Sequence, residues 1–109
     1  MSNYKNLAPE VGDFLAEPLY TDTSVWEVVK TTAHTIRVRK TKNGAILQRR
    51  HPDGNPWPIE YIEALADENG TERTVRLRKD STYRIGGGHP LREVDEWNGK
   101  PVRVVDYRY

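Results

Sequence analysis

Cysteine is absent from the 109-residue sequence. This absence excludes disulfides and thiolate metal sites, and it argues against a small secreted scaffold held together by bridges. Long apolar runs are missing too, since none approaches the roughly 20 residues that cross a bilayer. Residues 1–20 lack the charged-then-apolar pattern of an export signal. We therefore expect a cytoplasmic protein with no membrane association.

Side chains suited to catalysis are also scarce. Nucleophilic catalysis needs a nucleophile, a base and an orienting group in contact, and none of the few serines lies in a nucleophile-elbow pattern. The three histidines, His34, His51 and His89, match no zinc or facial-triad spacing. Gly86–Gly88 lacks the Gly-Lys-Ser/Thr ending of a phosphate-binding loop, so we interpret it as a turn. We expect a protein that is not an enzyme and holds no cofactor and no metal.

Size and aromatic content predict one folded domain. A chain of 12.6 kDa has material for a single core, and three Trp, six Tyr and one Phe supply large side chains to fill it. Residues 1–10 are polar without a period and contain Pro9, which predicts a flexible N-terminal arm. We expect residues 11–109 to form one β-barrel domain.

Alternating apolar and polar residues predict β-strands along most of this domain. Val25–Lys30 is apolar on both faces, which is typical of a central strand. His34–Lys40 and Thr74–Arg78 each alternate between an apolar face and an arginine-bearing face. Pro101–Tyr107 is the last strand, with proline at a position that a strand tolerates.

Two Asn-Gly pairs are read as hairpin turns, because both central positions of a type I′ turn need positive φ. Asn43-Gly44 is expected to join the strand at 34–40 to one at 45–50. Asn69-Gly70 favours a strand over a helix for Ile59–Ala66, whose apolar spacing fits either. The predicted class is all-β, a small strongly bent SH3-like barrel or meander of five to seven short strands.

Several stretches carry a resemblance to known proteins. Val11-Gly12-Asp13, Trp26–Lys30, Thr35–Arg39 and Leu77–Arg84 together resemble small proteins encoded by bacteriophages. The opening is also similar to SH3-like and KOW-like barrels. The resemblance implies a β-barrel of phage or mobile-element origin, located in the cytoplasm of a bacterial host, that binds proteins or nucleic acids.

Charge is arranged in blocks, although the formal net charge is only +1. Residues 28–52 contain seven bases and no acid, and residues 53–72 contain six acids and no base. Residues 73–84 then contain five bases and one acid. Blocks of opposite sign steer and orient a partner more than they add affinity.

The basic block supplies the candidate binding residues. A hairpin at Asn43-Gly44 would project its cations from one two-stranded ribbon, extended by the arginines of the next basic strand. Such a ribbon can follow a phosphate backbone, or it can pair with the acidic run in a mutual charge network. The residues are Arg37, Arg39, Lys40, Lys42, Arg49 and Arg50 on the ribbon, with Arg76 and Arg78 extending it.

A second candidate is Trp57, which stands in the proline-rich segment Asn55-Pro56-Trp57-Pro58. Held in this frame, the indole loses little entropy when it docks in a partner's pocket, although it can equally cap one end of the barrel.

Three functions follow from these patterns. The first is a non-catalytic module that binds a host protein through its charged surface. The second is a DNA- or RNA-binding protein that uses the 34–50 ribbon, and the third is a structural or assembly protein that forms a homo-oligomer by edge-strand pairing.

Overall fold

Nine β-strands make up the regular structure of this chain, whose computed structural model describes residues 7–19, 22–54 and 56–107. Those residues contain no helix, so the predicted all-β class is confirmed. The count exceeds the five to seven expected because two very short strands, β7 and β8, precede the last one. The strands are β1 Phe14–Pro18, β2 Thr23–Thr31, β3 Thr35–Lys40, β4 Lys42–Arg50, β5 Ile59–Leu65, β6 Glu72–Arg76, β7 Arg92–Glu93, β8 Asp95–Trp97 and β9 Lys100–Asp106.

The strands form two antiparallel sheets. The first sheet has the order β6-β3-β2-β1-β7, and the second has the order β4-β5-β9-β8. β2 is central, as its two apolar faces predict, and both Val25 and Trp26 are buried. Ile59–Leu65 is a strand, so the strand prediction for that segment is confirmed and the helix alternative is wrong.

The predicted hairpin at Asn43-Gly44 is wrong. Both residues lie inside β4, neither has a positive φ, and Asn43 pairs with Ala64 on β5. β3 and β4 belong to different sheets and are separated only by Thr41. Thr41 donates from its backbone N and its Oγ1 to the carbonyl of Val25, at 3.1 and 2.8 Å. Long-range pairing with β5 thus overrides a local turn preference, and residues 34–50 do not form a two-stranded ribbon.

The sequence contains two further Asn-Gly pairs, at 69–70 and 98–99, and only one of them forms a hairpin turn. Asn69-Gly70 does lie in a turn, but the turn carries the chain from the second sheet to the first and joins no hairpin. Asn98-Gly99 has φ values of 51° and 76° and lies between the paired residues Trp97 and Lys100. It is therefore this third pair that forms a type I′-like hairpin turn, between β8 and β9.

One apolar core lies against the first sheet. Apolar side chains from β1, β2, β3 and β6 pack together with Tyr83 and Leu91, which come from the segment after β6. Leu7, within the predicted N-terminal arm, also packs against this core, while residues 1–6 lie outside the described part of the chain. The cluster consists of Leu15, Trp26, Val28, Ile36, Val38, Val75, Tyr83 and Leu91.

Gly70 is required by a close approach of two backbone segments. A Cβ added at Gly70 would lie 2.1 Å from the carbonyl oxygen of Lys40, so the backbone itself would have to move. We predict that Gly70→Ala lowers the free energy of unfolding by about 2 kcal/mol, as overpacking does.

Gly87→Ala is the matched control, because a Cβ there meets no atom within 4 Å and the residue has no positive φ. It should change the free energy of unfolding by less than about 0.5 kcal/mol. Urea unfolding of both variants measures the difference, and equal stabilities would contradict this account of Gly70.

Candidate functional site

The arginines of β3 are paired with carboxylates of the same chain. Arg37 and Arg39 lie opposite Thr74 and Glu72 of β6, so their side chains share one face of the first sheet. Arg37 donates from Nε to Glu72 Oε1 and, at 3.2 Å, from Nη1 to Thr74 Oγ1. The hydrogen bond from Arg37 holds the pKa of Glu72 below its ordinary value.

Arg39 and Lys40 are turned still further from solvent. Arg39 donates from Nη2 to Glu27 Oε1 at 3.3 Å, and its side chain is only 22% exposed. Lys40 donates from Nζ to Ser24 Oγ at 2.8 Å, and its ammonium lies 5.1 Å from the ring centroid of Trp26. Burial lowers the pKa of Lys40. Neither side chain is placed to bind an external anion.

Arg49 is bound to a buried carboxylate on the neighbouring strand. Its Nε donates to Glu60 Oε2 at 2.7 Å, and Glu60 is 6% exposed. Tyr107 also hydrogen-bonds to this carboxylate. The Arg49 hydrogen bond holds the pKa of Glu60 below its ordinary value, while the bond to Glu60 raises that of Tyr107.

These contacts agree with the mutual charge network rather than with an open ribbon. Glu60 and Glu72, both from the acidic run at 53–72, form ion pairs with Arg49 and Arg37, respectively. Of the predicted ribbon, Lys42 and Arg50 remain exposed at opposite ends of β4, and neither forms an ion pair with a described residue.

A groove of about 810 Å³ lies beside β6. It brings together two arginines of the predicted ribbon and two cations outside that prediction. Arg76 and Arg78 lie here, as the last residue of β6 and the second residue after it. Four of the lining side chains are basic and one is acidic, while the half-buried Leu77 supplies apolar surface. We call this feature the β6 groove; its lining residues are Thr74, Val75, Arg76, Leu77, Arg78, Lys79, Asp80 and Arg84.

The turn after β6 folds back to build one wall of the groove. The backbone of Arg78 donates to the carbonyl of Thr82 at 2.9 Å, and Leu77 bridges to Tyr83. Ser81 reverses the chain with a φ of 66°. The chain thus reverses at residues 79–81, and this turn brings Arg84 to the residues at the end of β6.

Two of the four groove cations are anchored, and two are not. Arg78 donates from Nη2 to the carbonyl of Gly86. Arg84 donates to Thr82 Oγ1 at 3.2 Å and to Asp80 Oδ2 and the Gly88 carbonyl at 3.4 Å each. The hydroxyl of Thr82 is the main group that holds the pKa of Asp80 below its ordinary value. The exposed side chains of Arg76 and Lys79 form no ion pair with the residues that the structure describes.

The carbonyl oxygens of the glycine turn Gly86–Gly88 accept hydrogen bonds from two arginines of the groove. Those of Gly86 and Gly88 accept hydrogen bonds from Arg78 and Arg84, and the N–H of Gly88 is directed to the carbonyl of Ile85 at 3.3 Å. A phosphate cradle needs free N–H groups pointing at the anion. The turn interpretation is confirmed.

Sequence reasoning found half of this groove. Arg76 and Arg78 were candidate residues, whereas Lys79 and Arg84 were not. The available signal was the second basic block at residues 73–84. The pattern of this block predicts an extension of the ribbon, because a turn that folds Arg84 back beside Arg76 leaves no periodic signal in the sequence.

The tryptophans occupy three different environments. Trp57 is 59% exposed in the segment between β4 and β5, a position that suits an anchor better than a cap, although its binding role stays a prediction. Trp26 is in the core, and its Nε1 donates to Glu17 Oε1 at 3.1 Å. Trp97 stacks on Tyr61 with ring centroids 5.9 Å apart.

Comparison with known proteins gives no assignment: no family model, no curated protein and no solved structure matches the chain. Within the described ranges, no three His, Asp or Glu side chains are grouped to hold a metal ion. The same residues include no helix able to span a bilayer.

The buried Glu60 carboxylate makes stability depend on pH. Because its pKa is lowered in the folded state, its contribution is present above the ordinary value of 4.5 and is lost as the pH falls below that value. We predict that Glu60→Gln lowers the free energy of unfolding at neutral pH and flattens its decline on the acid side.

Glu68→Gln is the control, because Glu68 is exposed and forms no ion pair with a described residue. It should retain the wild-type profile. Chemical denaturation between about pH 7 and pH 3 measures both profiles. An acid-side slope in Glu60→Gln as steep as that of the wild type would refute this role for Glu60.

Proposed function

We propose that this chain is a non-catalytic binding module that holds an acidic segment of a partner protein in the β6 groove. The observation that supports the proposal is the contrast between paired and unpaired cations. Arg37, Arg39 and Arg49 are neutralised by carboxylates of the same chain, whereas Arg76 and Lys79 stand at the groove without an ion pair to any described residue.

The contrast matters energetically because a paired arginine must release its own carboxylate before it can bind another. An internal partner is already positioned, whereas an external one must also lose translational and rotational freedom. An unpaired cation at a groove offers its full charge to an approaching acid. It therefore increases the association rate and fixes the orientation of the partner.

A protein partner suits the groove better than a nucleic acid. Single-stranded nucleic acids are bound by aromatic side chains on which the bases stack, and none of the aromatic residues that the structure describes lines the β6 groove. Asp80 lies in the groove and Glu72 lies at the start of β6. A continuous phosphate backbone that follows β6 would therefore meet negative charge at both positions. Short acidic segments can be placed between these carboxylates.

The source of the partner follows from the resemblance to bacteriophage proteins. On this proposal the chain is encoded by a phage or mobile element, and the acidic segment belongs to a protein of the bacterial host.

The proposal is tested with a polyglutamate chain and an oligothymidylate of equal charge, each fluorescently labelled. Fluorescence anisotropy should show that polyglutamate binds more tightly and that binding weakens as salt is added. The double variant Arg76→Glu with Lys79→Glu should weaken polyglutamate binding at least roughly tenfold at low salt, a loss of about 1.4 kcal/mol.

Lys42→Glu with Arg50→Glu provides the control, because it changes the net charge equally at exposed cations of β4 outside the groove. Its affinity should stay within about twofold of the wild type. Equal losses in the two double variants, or no binding at all, would overturn the proposal. Tighter binding of the oligothymidylate would replace it with nucleic-acid recognition.

A further inference from the structure

The outer edge of β6 presents unpaired backbone groups. β6 is an edge strand of the first sheet, and hydrogen bonds at its two ends fix which residues face β3. Lys40 donates to the carbonyl of Thr71 at 2.9 Å, and Leu77 donates to the carbonyl of His34 at 2.8 Å. In an antiparallel pair the bonded residues alternate, so the odd-numbered residues from 71 to 77 face β3. The N–H and C=O groups of residues 72, 74 and 76 therefore point away from β3. At residue 76 this side faces the segment 82–84, because Arg78 donates to the carbonyl of Thr82 and Leu77 pairs with Tyr83, so the open groups are those of Glu72 and Thr74.

Among the four sheet edges in the described residues, only the edge at β6 is both long and regular. β7 has two residues and β8 has three, which leaves little to pair with. β4 has nine residues, but its register with β5 shifts twice, between Asn43 and Ile46 and again between Ile46 and Gln48. Such irregularities protect an edge from further pairing. β6 pairs with β3 over five consecutive residues without a shift.

The β6 groove lies directly along this edge. Thr74, Val75 and Arg76 belong both to the edge strand and to the groove lining. A strand added here would direct alternate side chains to the two faces of the sheet. Its side chains on the Arg76 face would meet a cation, and those on the opposite face would lie beside the half-buried Leu77.

We infer that the acidic segment binds as an added strand, making the first sheet six-stranded. Its main chain hydrogen-bonds to the free groups of Glu72 and Thr74, and its carboxylates contact Arg76 and Lys79. This mode of recognition takes affinity from the backbone and specificity from alternate side chains. The inference rests on the proposed function and specifies the partner as an extended segment in which acidic residues alternate with small apolar ones.

The probe is a peptide of about eight residues, alternating Glu and Val, with both ends blocked. Thr74→Pro removes an outward N–H and places the proline ring on the free edge, where a strand tolerates proline. We expect Thr74→Pro to weaken binding of this peptide at least roughly tenfold. Thr74→Val keeps the N–H and removes only the hydroxyl that Arg37 contacts, so it should bind within about twofold of the wild type.

Amide hydrogen exchange gives a readout that charge alone would not produce. On binding the peptide, the amides of Glu72 and Thr74 should exchange more slowly, because they gain acceptors. The amides of Arg73 and Val75 already face β3 and should change little. Uniform slowing, or none at all, would contradict strand addition.

If Thr74→Pro does not fold, N-methylation of the peptide on every second amide replaces it. Methylation on one set of alternate amides should abolish binding, and methylation on the other set should preserve it. Equal affinities for the two methylated peptides would overturn strand addition.

The outcomes also separate this inference from the proposed function. Unchanged peptide binding to Thr74→Pro, together with loss in the Arg76→Glu with Lys79→Glu variant, would refute strand addition but leave the acid-binding groove. Insensitivity to both changes would refute both.

Discussion

The single residue between β3 and β4 constrains much of this structure. Thr41 bonds twice to the carbonyl of Val25, so the chain leaves the first sheet while still attached to β2 and enters the second sheet at once. Two strands connected in this way cannot pair with each other as a hairpin. Their side chains are thereby assigned to different sheets, each with its own neighbours.

This separation determines where charge remains available. Arg37 and Arg39 meet Glu72 because β6 lies beside β3, and Arg49 meets Glu60 because β5 lies beside β4. Three arginines of the large basic block are thus paired with carboxylates of the acidic block that follows it in the sequence. The smaller basic block at 73–84 has only Asp80 within it, and four of its five cations line the β6 groove.

Period-two patterning predicted the strand at 34–40, because the alternation of Ile36 and Val38 with Arg37 is a local property that burial enforces on the folded chain. Turn signals were less informative. Asn43-Gly44 has the composition of a hairpin but lies within a strand, since pairing with β5 is a long-range interaction that no local pattern records. The groove was only half predicted for the same reason: Arg84 reaches it through the turn at Ser81, whereas the spacing of the arginines suggested a continuous ribbon.

The close approach of Gly70 to the Lys40 carbonyl also determines which residues of β6 face β3 and which face outward. The ladder between β3 and β6 begins at the next residue, where Thr71 accepts from Lys40. A slip of one position would reverse every side chain of β6, directing Val75 into solvent and Arg76 toward the core. The missing side chain at position 70 thus determines which amides of β6 a partner encounters, and recognition at this edge depends on a residue that need not touch the partner.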